Sequence, residues 1–245
     1  MHKPDMILFD YGDTLLSEPG ADHLRAQRAL FPYVTHNPHD LTPEEVCAFS
    51  AQLFEEAGAA RAIGFELHNF QFQRALYELL GIRLSIPWPQ VEKIFWDSAT
   101  PGAVMPGAEA MLRALEERGV RTGVISNISF SGDALRDRLD RLLPANRFEF
   151  VIASSEYMFR KPSPYLFRLA LEKAALPADR VWFCGDNARA DVEGAHGAGL
   201  FPVWYVGSAG ESDGDVPCAP PDPPRCPHLH IRHWAQLPRL LDTLS

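Results

Sequence analysis

Apolar residues recur with two rhythms along this chain, and the alternation between them predicts most of its elements. Met6 to Phe9 form a short apolar run, the pattern of a strand buried on both faces of a parallel sheet. Asp10 ends the run, followed by Gly12 and a second acid, Asp13. Ser17 to Gly20 read as a turn. From Ala21 to about Ala99 the pattern turns helical, over Ala21–Phe31, Pro43–Gly58, Asn69–Leu80 and Pro89–Ser98. Thr42 before Pro43, with Glu45 three places after Thr42, is a capping signal, and Gly81 stops the third helix. In that helix Phe70, Phe72, Leu76, Leu79 and Leu80 partly keep a 3.6-residue period, which predicts an apolar face packed on neighbouring helices. No strand-like alternation is visible in this segment.

Beyond Pro101–Pro106, which read as a return linker, the rhythm alternates. A helix over Ala108–Arg118 stops at Gly119, and Arg121–Ser126 carry a strand. Helix 131–142, strand Phe148–Ala153, helix Pro164–Ala174, strand Arg180–Cys184, helix Ala190–Ala198 and strand Phe201–Val206 follow. Strands and helices alternating at this spacing imply right-handed βαβ crossovers. The expected fold is therefore an α/β three-layer, Rossmann-like parallel sheet with a helical insertion. The expected domains are a core of 1–17 and 101–245 and a helical unit of 18–100. Residues 207–227, rich in Gly, Pro, Ser and Asp, read as a loop before a last strand, His228–Ile231, and a helix, Trp234–Leu244.

Composition narrows the function classes. The 245 residues are 46% hydrophobic and 22% charged, ordinary values for a water-soluble globular chain. A net charge of −9 argues against a general nucleic-acid or anionic-membrane surface. No apolar run approaches the roughly 18 residues of a spanning helix, and residues 1–5 lead directly into the first strand, so a signal peptide is not expected. Cys47, Cys184, Cys218 and Cys226 are too scattered for a disulfide framework. A cytoplasmic location is expected. Oligomeric state is not legible.

Candidate chemistry gathers at strand ends. Asp10 and Asp186 each close a predicted parallel strand, where open α/β sheets bind ligands. Ser126 and Asn127 follow another buried strand and offer a hydroxyl and an amide, equally suited to orienting an anion or capping a helix. Lys161 is one of only four lysines in a chain that otherwise uses Arg, and Pro162 restricts its backbone. Asp191 is suited to capping the helix after Gly185.

Four stretches carry a family resemblance: Met6–Leu16, Val124–Asn127, Arg160–Pro164 and Val181–Asp191. In order and spacing they resemble the four motifs of the haloacid dehalogenase-like hydrolase superfamily, over most of the chain outside residues 18–100. The resemblance implies Asp10 as nucleophile, attacking phosphorus to give an aspartyl-phosphate that water hydrolyses. It implies Lys161 as the balancing cation, and Ser126 and Asn127 as groups orienting the phosphoryl oxygens. It further implies Mg²⁺, held by Asp10, the Gly12 main-chain carbonyl, Asp186 and, through water, Asp191. Residues 18–100 take the place of a helical cap, and the expected substrate is a small phosphate ester. One position departs: the family's phosphatases carry an acid/base Asp two places after the nucleophile, and here that place holds Gly12. Its loss typically costs ~10²–10⁴ in rate. Asp13 is the candidate replacement, and the alternative function is a weakly active or inactive homologue that binds a ligand or protein.

Other chemistries fit less well. Dehalogenation is disfavoured by Gly185–Asp186, and a Schiff base at Lys93 by an amphipathic helical setting. Cys218, Cys226, His228 and His230 are of zinc-ligand types, without the usual close Cys pair. His36, Arg61, His68 and Asn69 are polar residues of the helical segment within possible reach of a substrate.

Overall fold

The computed structural model of the protein describes residues 2–207 and 223–244. Six strands form one parallel sheet: β1 (Met6–Phe9), β2 (Arg121–Ser126), β3 (Phe148–Ala153), β4 (Val181–Gly185), β5 (Phe201–Tyr205) and β6 (Leu229–Ile231), in the order β6-β5-β4-β1-β2-β3. The α/β parallel-sheet class read from the sequence is the one observed. Its layers follow from side-chain alternation. Ile7 and Phe9 of β1 point into the larger apolar cluster on one face, with Val124, Trp182 and Cys184. Met6 and Leu8 point into the other, with Ile125, Val181 and Phe183. Both faces are covered by helices, which is why the strands are apolar runs rather than alternating ones.

β1 sits at the centre of this order, paired with β2 on one side and β4 on the other. The chain leaves β1 for a helical segment before returning to β2. The long helices of that segment are α1 (His23–Leu30), α2 (Pro43–Ala57), α3 (Asn69–Leu79) and α4 (Trp88–Ala99). They share an apolar cluster built on Ala26, Leu30, Val46, Leu76, Val91 and Phe95. The capping box of α2 forms as read: Thr42 Oγ1 accepts from the Glu45 N–H at 3.2 Å, and Glu45 Oε2 from the Thr42 N–H at 2.8 Å.

Three local readings differ. The helical segment does contain strand structure, a short antiparallel pair of Val34–His36 with Arg83–Leu84. The expected linker contains Ala103–Val104, paired antiparallel with Leu16–Ser17, so that the outgoing and returning chains are tied together. Such two- or three-residue ladders are too short to leave a period in the sequence. The helix expected over Ala190–Ala198 starts instead as a π-helix, Ala188–Glu193, continuing as Gly194–Gly197. Most of the loop read over 207–227, with Cys218, lies outside the described residues.

Arg138, on the helix Gly132–Leu142 and only 1% exposed, ties the helical segment to the sheet. Its guanidinium donates to Tyr11 Oη (3.0 Å), Asp97 Oδ1 (2.7 Å) and the Thr100 carbonyl (2.7 Å), and lies 4.6 Å from the centre of the Trp96 ring. Glu18 joins this network, accepting from Tyr11 Oη and from Trp96 Nε1. Phe130 stacks on Trp96 with centroids 4.0 Å apart. Truncation of Arg138 removes the buried charge that joins these groups, although Tyr11 keeps Glu18 and Asp97 keeps Arg141. Arg138→Ala is expected to lower unfolding free energy by about 3 kcal/mol, the low end for a broken buried ion pair because Asp97 keeps contact with solvent. Urea denaturation measures this, and a loss below about 1 kcal/mol, the range of surface pairs, would show that the network is not a structural tie.

Candidate active site

The ends of β1, β2 and β4 open into a cavity of about 580 Å³, lined among others by Asp10, Gly12, Asp13, Ser126, Asn127, Lys161, Asp186 and Asp191. Each residue arrives there for a local reason. Asp10 is the first residue after β1, and its N–H donates to the Cys184 carbonyl of β4, which extends the ladder by one bond. Ser126 is the last residue of β2, and Asp186 the first after β4. A parallel sheet aligns these ends, so residues far apart in sequence converge.

Lys161 is the hub. Its Nζ lies 2.5 Å from Asp10 Oδ1, 2.6 Å from Asp191 Oδ1 and 2.8 Å from the Ile125 carbonyl, over the Phe183 ring at 4.9 Å. The main chain of Lys161 is clamped by Asn127, whose Oδ1 accepts from its N–H (2.7 Å) and whose Nδ2 donates to its carbonyl (2.9 Å). Both amide atoms of Asn127 are thus engaged in placing Lys161. Burial alone would push the Lys161 ammonium down; the charges of Asp10 and Asp191 hold it above its ordinary value.

Asp10, Asp186 and Asp191 each present a carboxylate oxygen within 4.8 Å of the others. Burial, and then the charges of Asp10, Asp191 and Asp13, push Asp186 up to about 7. Burial likewise raises Asp10, against the pull of Lys161. One ammonium among three clustered carboxylates leaves surplus negative charge in a poorly solvated place. An all-oxygen donor set with that charge fits a hard divalent cation. Among the described residues this is the one such cluster; Cys226, His228 and His230 form none.

Sequence reasoning missed three contributors. Thr14, fully buried, donates from Oγ1 to Asp186 Oδ1 at 3.4 Å. Trp204 Nε1 donates to the Asp186 carbonyl at 2.8 Å. Arg160 lines the cavity while gripping Glu66 of the helical segment. Thr14 stands in the first motif, four places after Asp10, the one signal that pointed to it. His68 and Asn69 of the helical segment do not line this cavity, nor do His36 and Arg61.

Gly185 is required by close approach. A Cβ there would meet the Asp191 carboxyl carbon and Oδ2 at 2.5 Å. The π-helical turn brings Asp191 down onto β4, and its Oδ2 accepts from the Asn187 N–H at 3.0 Å. Such turns are frequent at functional sites. Gly185→Ala must displace Asp191 from the cluster. Calorimetry with Mg²⁺ as the probe is expected to show at least tenfold weaker binding than in the unsubstituted protein, with retained helicity; equal affinity would mean that Asp191 takes no part in holding a cation.

A parallel α/β sheet with an acidic, lysine-bridged cavity at the carboxyl ends of its central strands defines the class: an α/β protein with a candidate active site at those strand ends. A family model of haloacid dehalogenase-like hydrolases matches residues 4–199, and the chain belongs to that family. It is 27% identical over 205 residues to a glyceraldehyde 3-phosphate phosphatase of Pyrococcus abyssi, covering 82% of this chain and 80% of that protein. Against the pyrimidine 5'-nucleotidase YjjG of Escherichia coli, identity is 29% over 209 residues, covering 82% and 86%. The crystal structure of a HAD phosphatase from Thermococcus onnurineus superimposes with a TM-score of 0.62 at 18% identity, covering 98% of both chains, a likeness of fold. No described helix is long and apolar enough to cross a membrane.

Proposed function

We propose that this hydrolase is a Mg²⁺-dependent phosphatase of small phosphate esters, with Asp10 as nucleophile. The observation that carries the reading is the Asp10–Lys161–Asp191 cluster at the strand ends, beside Asp186. The relatives named for phosphate-ester substrates support the same reading. The reading places the reaction in the cytoplasm. Residues 18–100 act as a cap over the cavity mouth, held by Arg138 and by Arg160–Glu66.

Lys161 fixes the Asp10 carboxylate through Oδ1. An Asp10 oxygen forms a bond to phosphorus as the bond to the leaving oxygen breaks, giving an aspartyl-phosphate and the alkoxide or phenoxide. Water then attacks that phosphorus and loses a proton to solvent, releasing phosphate and restoring the carboxylate. Ser126, which lines the cavity, would hydrogen-bond the phosphoryl oxygens; Asn127 acts through the placement of Lys161. Asp10, the Gly12 carbonyl, Asp186 and Asp191 would hold the Mg²⁺, which supplies charge neutralisation of the phosphoryl oxygens.

Asp10→Asn keeps size and removes the attacking charge. Hydrolysis of p-nitrophenyl phosphate is expected to fall to background with an unchanged circular dichroism spectrum. Retained turnover in this variant would overturn the nucleophile.

Position 12 governs the rate. A Cβ at Gly12 would meet nothing within 4 Å, and the residue does not need the left-handed region. Asp13, by contrast, holds φ at 52°, a conformation that favours glycine, with its N–H donating to the Leu16 carbonyl at 2.8 Å. The acid and the glycine thus stand in each other's conformational places. Gly12→Asp is expected to raise kcat on alkyl phosphates by up to ~10²–10⁴, what a positioned acid/base supplies, and to raise aryl phosphate turnover far less. Steady-state kinetics of Gly12→Asp and Asp13→Asn on both ester classes decide it. Loss of turnover in Asp13→Asn with no gain in Gly12→Asp would assign the role to Asp13. Magnesium binding without turnover in any of them would favour a binding role.

A further inference from the structure

A second cavity, of about 440 Å³, lies between the helical segment and residues 129–130 of the core, and none of Asp10, Asp186 and Asp191 lines it. Its size falls within the range of small-molecule sites. The wall is largely apolar and rich in aromatic rings, including Phe54, Phe72, Phe95 and Phe130. Two buried amides break that wall. Gln73 is 1% exposed, and among the described residues neither its Oε1 nor its Nε2 has a hydrogen-bond partner. Asn69, 8% exposed, likewise leaves Oδ1 without one. A buried amide with both atoms unsatisfied is costly, and apolar side chains of the same shape would avoid the cost.

We infer that this cavity is a binding site for a neutral, planar, aromatic or heteroaromatic group bearing an amide-type edge. The chemistry of the donors sets the class. Gln73 offers one acceptor and one donor side by side, which an –NH–C(=O)– or carboxamide edge satisfies at once, and Asn69 Oδ1 calls for a further donor. Rings fill a space lined by other rings with favourable offset or edge contacts. A carboxylate, being an acceptor only, would leave Gln73 Oε1 unpaired, which disfavours it against a carboxamide. Arg61, which also lines the cavity, faces Glu66 Oε1 at 3.0 Å and shares that carboxylate with Arg160.

Two sources supply such a group. It is the leaving group of the phosphate ester, or it is a separate ligand. Consecutive residues line the two cavities: Asn127 and Ile128 the first, Ser129 and Phe130 the second. On the other side Arg160 lines the first and Arg61 the second, with Glu66 between them. The leaving-group source rests on the phosphatase reading; binding itself does not.

Benzamide and benzoate, alike in shape and different in charge and donor pattern, are the probes for calorimetry on the full chain. Benzamide is expected to bind at millimolar concentrations at least tenfold more tightly than benzoate. Gln73→Leu is expected to lose that tenfold preference while melting at or above the temperature of the unsubstituted protein. Gln73→Met, an unbranched alternative, guards against a packing fault at Leu. Equal binding of the two probes, no binding of either, or a lowered melting temperature in both variants would overturn the inference. A benzamide-dependent rise in KM for an aryl phosphate assigns the cavity to the leaving group; unchanged KM with retained benzamide binding assigns it to a separate ligand. Calorimetry needs no turnover, so failure of the phosphatase reading and failure of this one are seen separately.

Discussion

Everything in the carboxylate cavity depends on one buried ammonium. Lys161 is 3% exposed and touches groups from three separate places in the chain: Asp10 after β1, the Ile125 carbonyl of β2, and Asp191 on the π-helical turn. Without it, Asp10 and Asp191 would confront each other in a poorly solvated space, where like charges disfavour ionisation. Breaking a buried pair by removal of one partner is strongly destabilising. A lysine suits the place because its compact head can meet several acceptors at once. Its own placement is delegated to Asn127, which holds its main chain from both sides.

The helical segment meets the core through charge as well as apolar packing. Arg138 joins α4 to the residue that follows Asp10, through Asp97 and Tyr11. Glu66, with a wholly buried side chain, joins Arg61 to Arg160, the residue before Lys161. Ser154 Oγ also donates to Glu66 at 2.9 Å. A displacement of the helices would therefore be felt within one residue of both Asp10 and Lys161.

Backbone conformation explains the unusual first motif better than side-chain identity does. At position 13 the chain turns through a left-handed residue to bring Leu16 back beneath it, and any L-residue there carries a cost. An Asp tolerates the region better than most, since its short polar side chain can bond locally. The glycine one place earlier is not exploited for positive φ or close approach. Its service is the room it leaves at the cavity floor.

What the sequence determined by itself was the parallel sheet and which residues end its strands. Runs such as Met6–Phe9 and Val181–Cys184 can only be buried on both faces, and a carboxylate directly after such a run must lie at the sheet's ligand-binding edge. Period and spacing, being local properties of the chain, survive in the sequence. The short ladders at Leu16–Ser17 and Val34–His36 did not, because two or three residues carry no period. Nor did the engagement of Asn127 with Lys161, or the approach of Asp191 to Gly185. Those are contacts between residues distant in the chain or brought together by an irregular turn. Only the packing of helices on strands decides which of them meet, since hydrogen bonds and ion pairs act over a few ångströms while sequence separation fixes no distance.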